Sequence, residues 1–187
     1  MLPHLILLLI LLPVTAMAST IEEPAWELVD QIGPVELRRY EPSIEARTSL
    51  RSNRETSGGF NRLAGYIFGQ NQSGKKIAMT APVTETLVAG SPVMSFTMPS
   101  AYGMEELPSP RDPAVTLHKV PERTVAAVRF SGWATGGKVR RYTDELLSTL
   151  EGQGIAISGS PALNQYNPPW TPPFMRRNEI AVEVVLE

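Results

Sequence analysis

The segment Lys75-Lys76-Ile77-Ala78-Met79-Thr80-Ala81-Pro82-Val83 decides the fold, because the sequence pattern changes from helical to extended across it. Before it, apolar residues recur at helical spacing over residues 60–68. After it, residues 93–98 alternate as they do in a strand. The apolar run at 77–83 therefore predicts a strand packed against the preceding helix.

Short alternating segments, separated by proline and glycine turns, fill most of the chain. They predict strands over residues 26–29, 35–40, 44–50, 93–98, 115–120, 124–130, 155–157, 162–166 and 178–186. Two segments have helical periodicity instead, over residues 58–71 and 138–151. The 17 prolines and 14 glycines also favour many short connections over a helical bundle.

The two halves of the chain resemble each other. At an offset of 80 and then 81 residues, the matching pairs are Val35-x-Leu37 with Val115-x-Leu117, and Ile44-x-Ala46 with Val125-x-Ala127. Each pair precedes a loop, one amphipathic helix and one strand. This pattern predicts an α+β fold of two β-β-α-β pseudo-repeats, with a curved antiparallel sheet or open barrel and one core in a single domain over residues 19–187.

Residues 1–18 have the layout of a signal peptide. An unbroken aliphatic run covers residues 5–12, and Ala16-Met17-Ala18 forms a cleavage site before Ser19, although the first residues contain no lysine or arginine. The run is too short for a transmembrane helix, which needs about 20 apolar residues. We therefore predict a secreted or periplasmic protein without stable membrane insertion after cleavage.

Composition argues against several classes of function. The net charge of −2 gives no positive field for nucleic acid, and the absence of cysteine excludes thiolate chemistry and Cys-ligated metals. His118 is the one histidine after residue 18, and neither a catalytic triad nor a phosphate-binding loop is recognisable. The residues alone favour an exported, non-enzymatic binding protein with an apolar pocket, and they do not name its ligand.

Several side chains are candidates for contact with a flat, acidic ligand. His118 is either a haem ligand or a surface residue, and the methionines fill either the core or a pocket wall. The aromatic candidates are Tyr66, Tyr166, Trp170 and Phe174, and the basic ones are Arg62, Lys75, Lys76, Arg176 and Arg177. Asn71-Gln72-Ser73 is a glycosylation sequon.

Five blocks in order resemble the SOUL haem-binding family. They are residues 59–71, 76–83, 94–99, 125–132 and 166–180, with Lys76-Ile77-Ala78-Met79-Thr80-Ala81-Pro82-Val83 the most recognisable. The resemblance implies a distorted antiparallel β-barrel with two main helices. It also implies non-covalent binding of haem or other tetrapyrroles in a shallow apolar pocket, for transport or buffering.

The same resemblance implies where the ligand binds. The corresponding positions are Arg62, Leu63, Tyr66 and Ile67 on the first helix, and Trp170, Phe174, Met175 and Arg176 on the late loop. No universal axial iron ligand belongs to the family pattern, so the metal ligand stays open. The alternatives are a generic binder of hydrophobic small molecules, a protein-interaction module on the same scaffold, or a hydrolase that uses a glutamate or tyrosine.

Overall fold

The computed structural model describes residues 21–52 and 55–186. The predicted signal peptide lies outside the described residues. The strands are β1 (Trp26–Ile32), β2 (Val35–Tyr40), β3 (Ser43–Ser49), β4 (Val83–Thr86), β5 (Val93–Thr97), β6 (Val115–Val120), β7 (Arg123–Phe130), β8 (Ala156–Ile157), β9 (Ala162–Gln165) and β10 (Asn178–Val185). The helices are α1 (Thr56–Ile67) and α2 (Gly136–Gly152), and neither is long and apolar enough to cross a membrane.

The described strands form one antiparallel sheet in the order β1-β2-β7-β10-β9-β4-β5-β3-β6, with the short β8 beside β10. Only Glu41 and Pro42 separate β2 from β3, yet these strands lie near opposite ends of that order. So short a connection is possible only if the sheet curls back on itself. The predicted α+β fold, a distorted antiparallel barrel with two helices, is confirmed.

The strand order also confirms the duplication and adds a second strand after each helix. Apart from β1, which has no counterpart, exchanging β2, β3, β4 and β5 for β6, β7, β9 and β10 gives the same order read backwards. The centre of this pseudo-twofold symmetry is the pair Thr84 and Asn164, where β4 meets β9. Thr84 Oγ1 donates to Asn164 Oδ1 at 2.8 Å.

The register corrects the second half of the internal match. Leu37 lies opposite Ala126, and Leu117 lies opposite Ala46, so Ala126 rather than Ala127 is the counterpart of Ala46. The offset is 80 residues in both strands. One residue matters because neighbouring side chains point to opposite faces of a sheet: Ala126 packs in the core beneath α2, whereas Ala127 does not.

Both helices pack on the same face of the sheet. Leu146 and Leu150 of α2 pack over strands β2, β7 and β10, and the apolar side of α1 packs over β3, β5 and β6. The other face is concave and carries no helix. This arrangement follows from the sequence, because the helical stripe and alternate strand positions supply apolar side chains to a single layer.

The prediction of a strand over residues 77–83 is wrong, since β4 begins only at Val83. The segment before it bonds to three separate partners, through two backbone N–H groups and one side-chain hydroxyl, instead of to one neighbouring strand. Ile77 N donates to Ile67 O at 2.7 Å, the Thr80 hydroxyl donates to Thr97 O, and Ala81 N donates to Glu22 O. The segment is therefore an irregular connection that fastens the end of α1 to the sheet.

The Asn71 side chain stabilises this connection with hydrogen bonds to residues before and after it in the chain. Its amide nitrogen donates to Tyr66 O at 3.0 Å and to Lys75 O at 2.7 Å, while its oxygen accepts from Lys75 N at 3.1 Å. The side chain is fully buried. The folded chain therefore does not present the sequon amide for glycosylation.

We expect Asn71→Ala to lower the free energy of unfolding by about 2 kcal/mol, because the hydrogen bonds of the buried amide to Tyr66, Ser73 and Lys75 are lost. Denaturant unfolding measures this change. Gln72→Ala, at the exposed neighbouring position, is the control and should change stability by less than about 0.5 kcal/mol. Equal stabilities of the two variants would contradict this role for Asn71.

Glu55 stabilises the start of α1. It accepts from Arg51 N at 2.7 Å and from Arg62 Nη1 at 2.9 Å. These bonds, with the Arg51 backbone bond the largest contribution, lower the pKa of the Glu55 carboxyl to about 2. A depressed folded-state pKa means that the stabilisation is complete above the unfolded-state pKa and disappears as the pH falls through the folded-state pKa.

We expect Glu55→Gln to be less stable than the wild type at neutral pH. The difference should shrink between pH 4.5 and about pH 2, as the wild-type carboxyl becomes protonated. Thermal unfolding across this pH range measures it. A difference that stays constant down to pH 2 would show that Glu55 acts only through packing.

Candidate functional site

The helix residues of the predicted site lie inside the core. Leu63, Tyr66 and Ile67 are each at most 2% exposed and belong to the cluster beneath α1. The Tyr66 hydroxyl donates to Pro108 O at 2.9 Å, and burial raises the pKa of Tyr66 to about 12. In this conformation these side chains stabilise the packing of α1 and offer no open surface to a ligand.

Arg62 is also occupied by contacts within the protein. Its Nε donates to Thr48 Oγ1, its Nη2 to Ser49 O and its Nη1 to Glu55 Oε1, each at 2.9 Å. This guanidinium therefore fastens α1 to the end of β3. Binding a ligand carboxylate here would require it to give up one of these bonds.

On the late loop, which connects β9 to β10, three of the predicted site residues are exposed to solvent, unlike those of α1. Trp170 is 83% exposed and Phe174 is 80% exposed, and Met175 beside them is also exposed. Prolines at 168, 169, 172 and 173 restrict the backbone around these side chains, and Pro173–Met175 forms a 3-10 turn. Two large aromatic side chains are thus held in solvent by a stiff loop.

Arg176 is the buried anchor of this loop. Its Nε donates to Thr171 O at 2.9 Å, its Nη2 donates to Pro169 O, and its guanidinium carbon lies 3.8 Å from the centre of the Trp133 ring. The residue is buried. Arg176 therefore shapes the loop through contacts with its own chain.

Trp133 is a site residue that the sequence analysis missed. It is 53% exposed, and its neighbour Gly132 accepts from Asn178 Nδ2 and donates its backbone N–H to Pro173 O, both at 2.9 Å. These bonds join the β7–α2 connection to the late loop. The signal in the sequence that could have identified it is a lone tryptophan between glycines, in Gly132-Trp133-Ala134-Thr135-Gly136.

The two loops are joined by the bond from Gly132 N to Pro173 O and by Arg176 against Trp133. We call their exposed apolar side chains the aromatic surface: Trp133, Trp170, Phe174 and Met175. Lys138, in the first turn of α2, lies beside it and donates from Nζ to Ser131 O at 2.9 Å. The structure thus brings the loop half of the predicted site together with Trp133. The helix half packs on β3, β5 and β6 instead.

His118 lies on β6, on the concave face, with Nε2 2.8 Å from Thr116 Oγ1. Within residues 21–52 and 55–186, no group of three or more histidine, aspartate or glutamate side chains is arranged to hold a metal ion. Met175 carries an exposed thioether on the aromatic surface, whereas Met94 and Met98 are buried in the core. An axial iron ligand stays unassigned.

Comparison with solved structures agrees with the fold. The chain superposes on the C-terminal domain of EcmrR with a TM-score of 0.65 and 12% identity, covering 82% of this chain and 98% of that one. A hydrolase from Listeria innocua gives a TM-score of 0.57 and 9% identity, with 81% and 92% covered. At these identities the likeness concerns architecture alone.

Sequence comparison identifies the family. Heme-binding protein 2 of Homo sapiens is 31% identical in an alignment of 153 positions that covers 74% of each chain. Heme-binding protein 2 of Mus musculus is 29% identical in an alignment of 189 positions, gaps included, that covers 88% of this chain and 91% of the mouse protein. The family model described as SOUL heme-binding protein matches residues 21–183. The chain therefore belongs to the SOUL haem-binding protein family.

Proposed function

We propose that this protein binds haem or a related tetrapyrrole non-covalently, and that the aromatic surface provides the contact. Family membership supplies the ligand class. The observation that favours this surface is the exposure of Trp170 and Phe174 on a stiff loop. Large apolar side chains held in water in this way mark a binding surface more often than a packing defect.

The chemistry of the aromatic surface suits a porphyrin. A flat macrocycle stacks on the rings of Trp133, Trp170 and Phe174, and this contact removes apolar area from water on both sides. Lys138 places a cation beside the surface for a propionate, at the cost of its bond to Ser131 O. Met175 adds a thioether, a side chain that ligates iron in some haem proteins.

We expect Trp170→Ala/Phe174→Ala to weaken haemin binding by about tenfold or more, because the two rings supply most of the exposed apolar area. A haemin titration followed by the Soret band measures the affinity. Phe68→Ala is the matched control, because Phe68 is an exposed aromatic residue at the end of α1. It should leave the affinity within about twofold of the wild type.

Two outcomes would contradict the placement on the loops. The double variant would bind haemin as tightly as the wild type, or Phe68→Ala would lose as much affinity as the double variant. The second outcome would favour the helix, with Arg62, Leu63, Tyr66 and Ile67 exposed by a movement of α1. Absence of any saturable Soret change in the wild type would contradict haem binding itself.

A generic binder of hydrophobic molecules, or an interaction module, is the second candidate. Exposed Trp170 and Phe174 also suit a protein partner, because aromatic residues are enriched at interfaces. Affinities for haemin, iron-free porphyrin and an unrelated flat ligand separate the candidates. A haem protein prefers the porphyrins, whereas a generic binder takes all three with similar affinity.

We further propose that the protein acts after export, as a secreted or periplasmic carrier or buffer. The support is the aliphatic run at 5–12 followed by Ala16-Met17-Ala18. In a secreting host, we expect mass spectrometry of the exported protein to show a chain that begins at Ser19. Ala18→Arg should block this cleavage, because the site requires a small residue. A wild-type chain that retains Met1 inside the cell would contradict export.

A further inference from the structure

The concave face of the sheet carries a band of polar side chains beside a small apolar cluster of Tyr40, Val125, Ala127 and Ala181. Cross-strand pairing places one row of side chains in line from β6 through β3, β5, β4 and β9 to β10: Thr116, Arg47, Ser95, Thr84, Asn164 and Glu179. Thr97, Glu45 and His118 form a second row beside it. A face that served only packing would carry apolar side chains at these positions.

All of these residues except Glu179 line a cleft of about 670 Å³ on the concave face. The cleft lies over the pseudo-twofold centre at Thr84 and Asn164, where the two repeats meet. Ser95, Asn164 and Glu45 are buried in it. Its size is that of a small-molecule site, and junctions between structural units are common places for such sites.

The guanidinium group of Arg123 in the cleft lacks part of its hydrogen-bond partners. Arg47 Nε donates to Glu45 Oε2 at 2.9 Å, whereas Arg123 Nη2 reaches Glu45 Oε1 only at 3.4 Å. Arg123 Nη1 is buried and has no hydrogen-bond partner among the described residues. Two guanidinium groups thus share the Glu45 carboxylate, which leaves a free donor on Arg123 inside the cleft.

The other carboxylate of the lining, that of Glu183, balances the second arginine in formal charge, but the ion-pair partner of Arg123 is Glu45. Glu183 lies opposite Val125, two residues along β7 from Arg123, and packs against Gly159. A buried, unbonded guanidinium N–H is costly unless an acceptor meets it. The acceptor that suits it best is an oxyanion, because such a bond is charge-assisted.

We propose that this cleft is a second ligand site, which takes a small polyhydroxylated monoanion of the sugar-acid class. The ligand carboxylate accepts from Arg123, and the ligand hydroxyls bond to Thr84, Ser95, Thr116 and Asn164. The free, positively charged donor of Arg123 selects an anion, and the hydroxyl-lined floor selects a polyol over an apolar acid. This inference does not depend on haem binding, because it concerns the face of the sheet that carries no helix.

The test uses three sugars that share one ring and differ in charge. Glucuronate, glucose and glucosamine are titrated into the full chain by calorimetry. We expect saturable binding of glucuronate, at least about tenfold tighter than that of glucose or glucosamine, because a charge-assisted bond to a buried donor is worth about that factor. Equal affinities for the three sugars, or no saturable binding of glucuronate, would overturn the proposal without any variant.

A pair of variants then locates the site. Arg123→Gln should weaken glucuronate binding about tenfold or more and leave glucose binding unchanged. Arg39→Gln is the matched control, since Arg39 lies on β2 and is exposed and paired with Glu27. Circular dichroism checks that both variants fold. Unchanged glucuronate affinity in a folded Arg123→Gln variant would overturn the assignment.

The result for haem binding is independent of the result for glucuronate binding. Trp170→Ala/Phe174→Ala should bind glucuronate as the wild type does, whatever its affinity for haemin. If the double variant lost glucuronate binding, the sugar acid would bind at the aromatic surface and the cleft assignment would be wrong.

Discussion

The exchange of first strands between the two repeats is the constraint on which the rest of the structure depends. β2 of the first repeat pairs with β7 and lies beneath α2, while β6 of the second pairs with β3 and lies near α1. Val35 and Leu37 therefore pack in the core of the opposite repeat. Neither half has a complete core alone, so unfolding one half exposes apolar surface of the other and couples their stabilities.

The arrangement of the helices also leaves one face of the sheet without a helix. With both helices on one face, the alternate side chains of every strand are left for the concave face. On part of that face Arg38 and Glu179 form a buried ion pair, in which Arg38 Nη1 lies 2.7 Å from Glu179 Oε2. Tyr166 donates its hydroxyl to the same carboxylate, and burial raises the pKa of Tyr166, so the hydroxyl keeps its proton. Arg123 differs, because its Nη1 is buried without a partner among the described residues.

Much of the fold could be predicted from sequence, because it depends on periodicity. The helical stripe, the alternating strands and the internal duplication are local or repeated patterns, and the structure shows all three. The strand predicted at 77–83 failed because the partners of Ile77 and Thr80 lie in other elements, which an apolar run does not reveal. Trp133 and Arg123 were missed for a similar reason. Their importance arises from contacts with residues about 40 and 80 positions away.

The predicted binding residues of α1 are buried and three of those on the late loop are exposed, and helical geometry explains this difference. Leu63 and Ile67 are four residues apart on the apolar stripe, and that stripe is what holds the helix on the sheet. A side chain in this position cannot pack in the core and also contact a ligand unless the helix moves. Trp170 and Phe174 are not needed for packing, because Arg176 and the surrounding prolines already fix the conformation of the loop. A loop that is already rigid loses little conformational entropy when a ligand binds, so its exposed rings are better suited to recognition than the buried face of a helix.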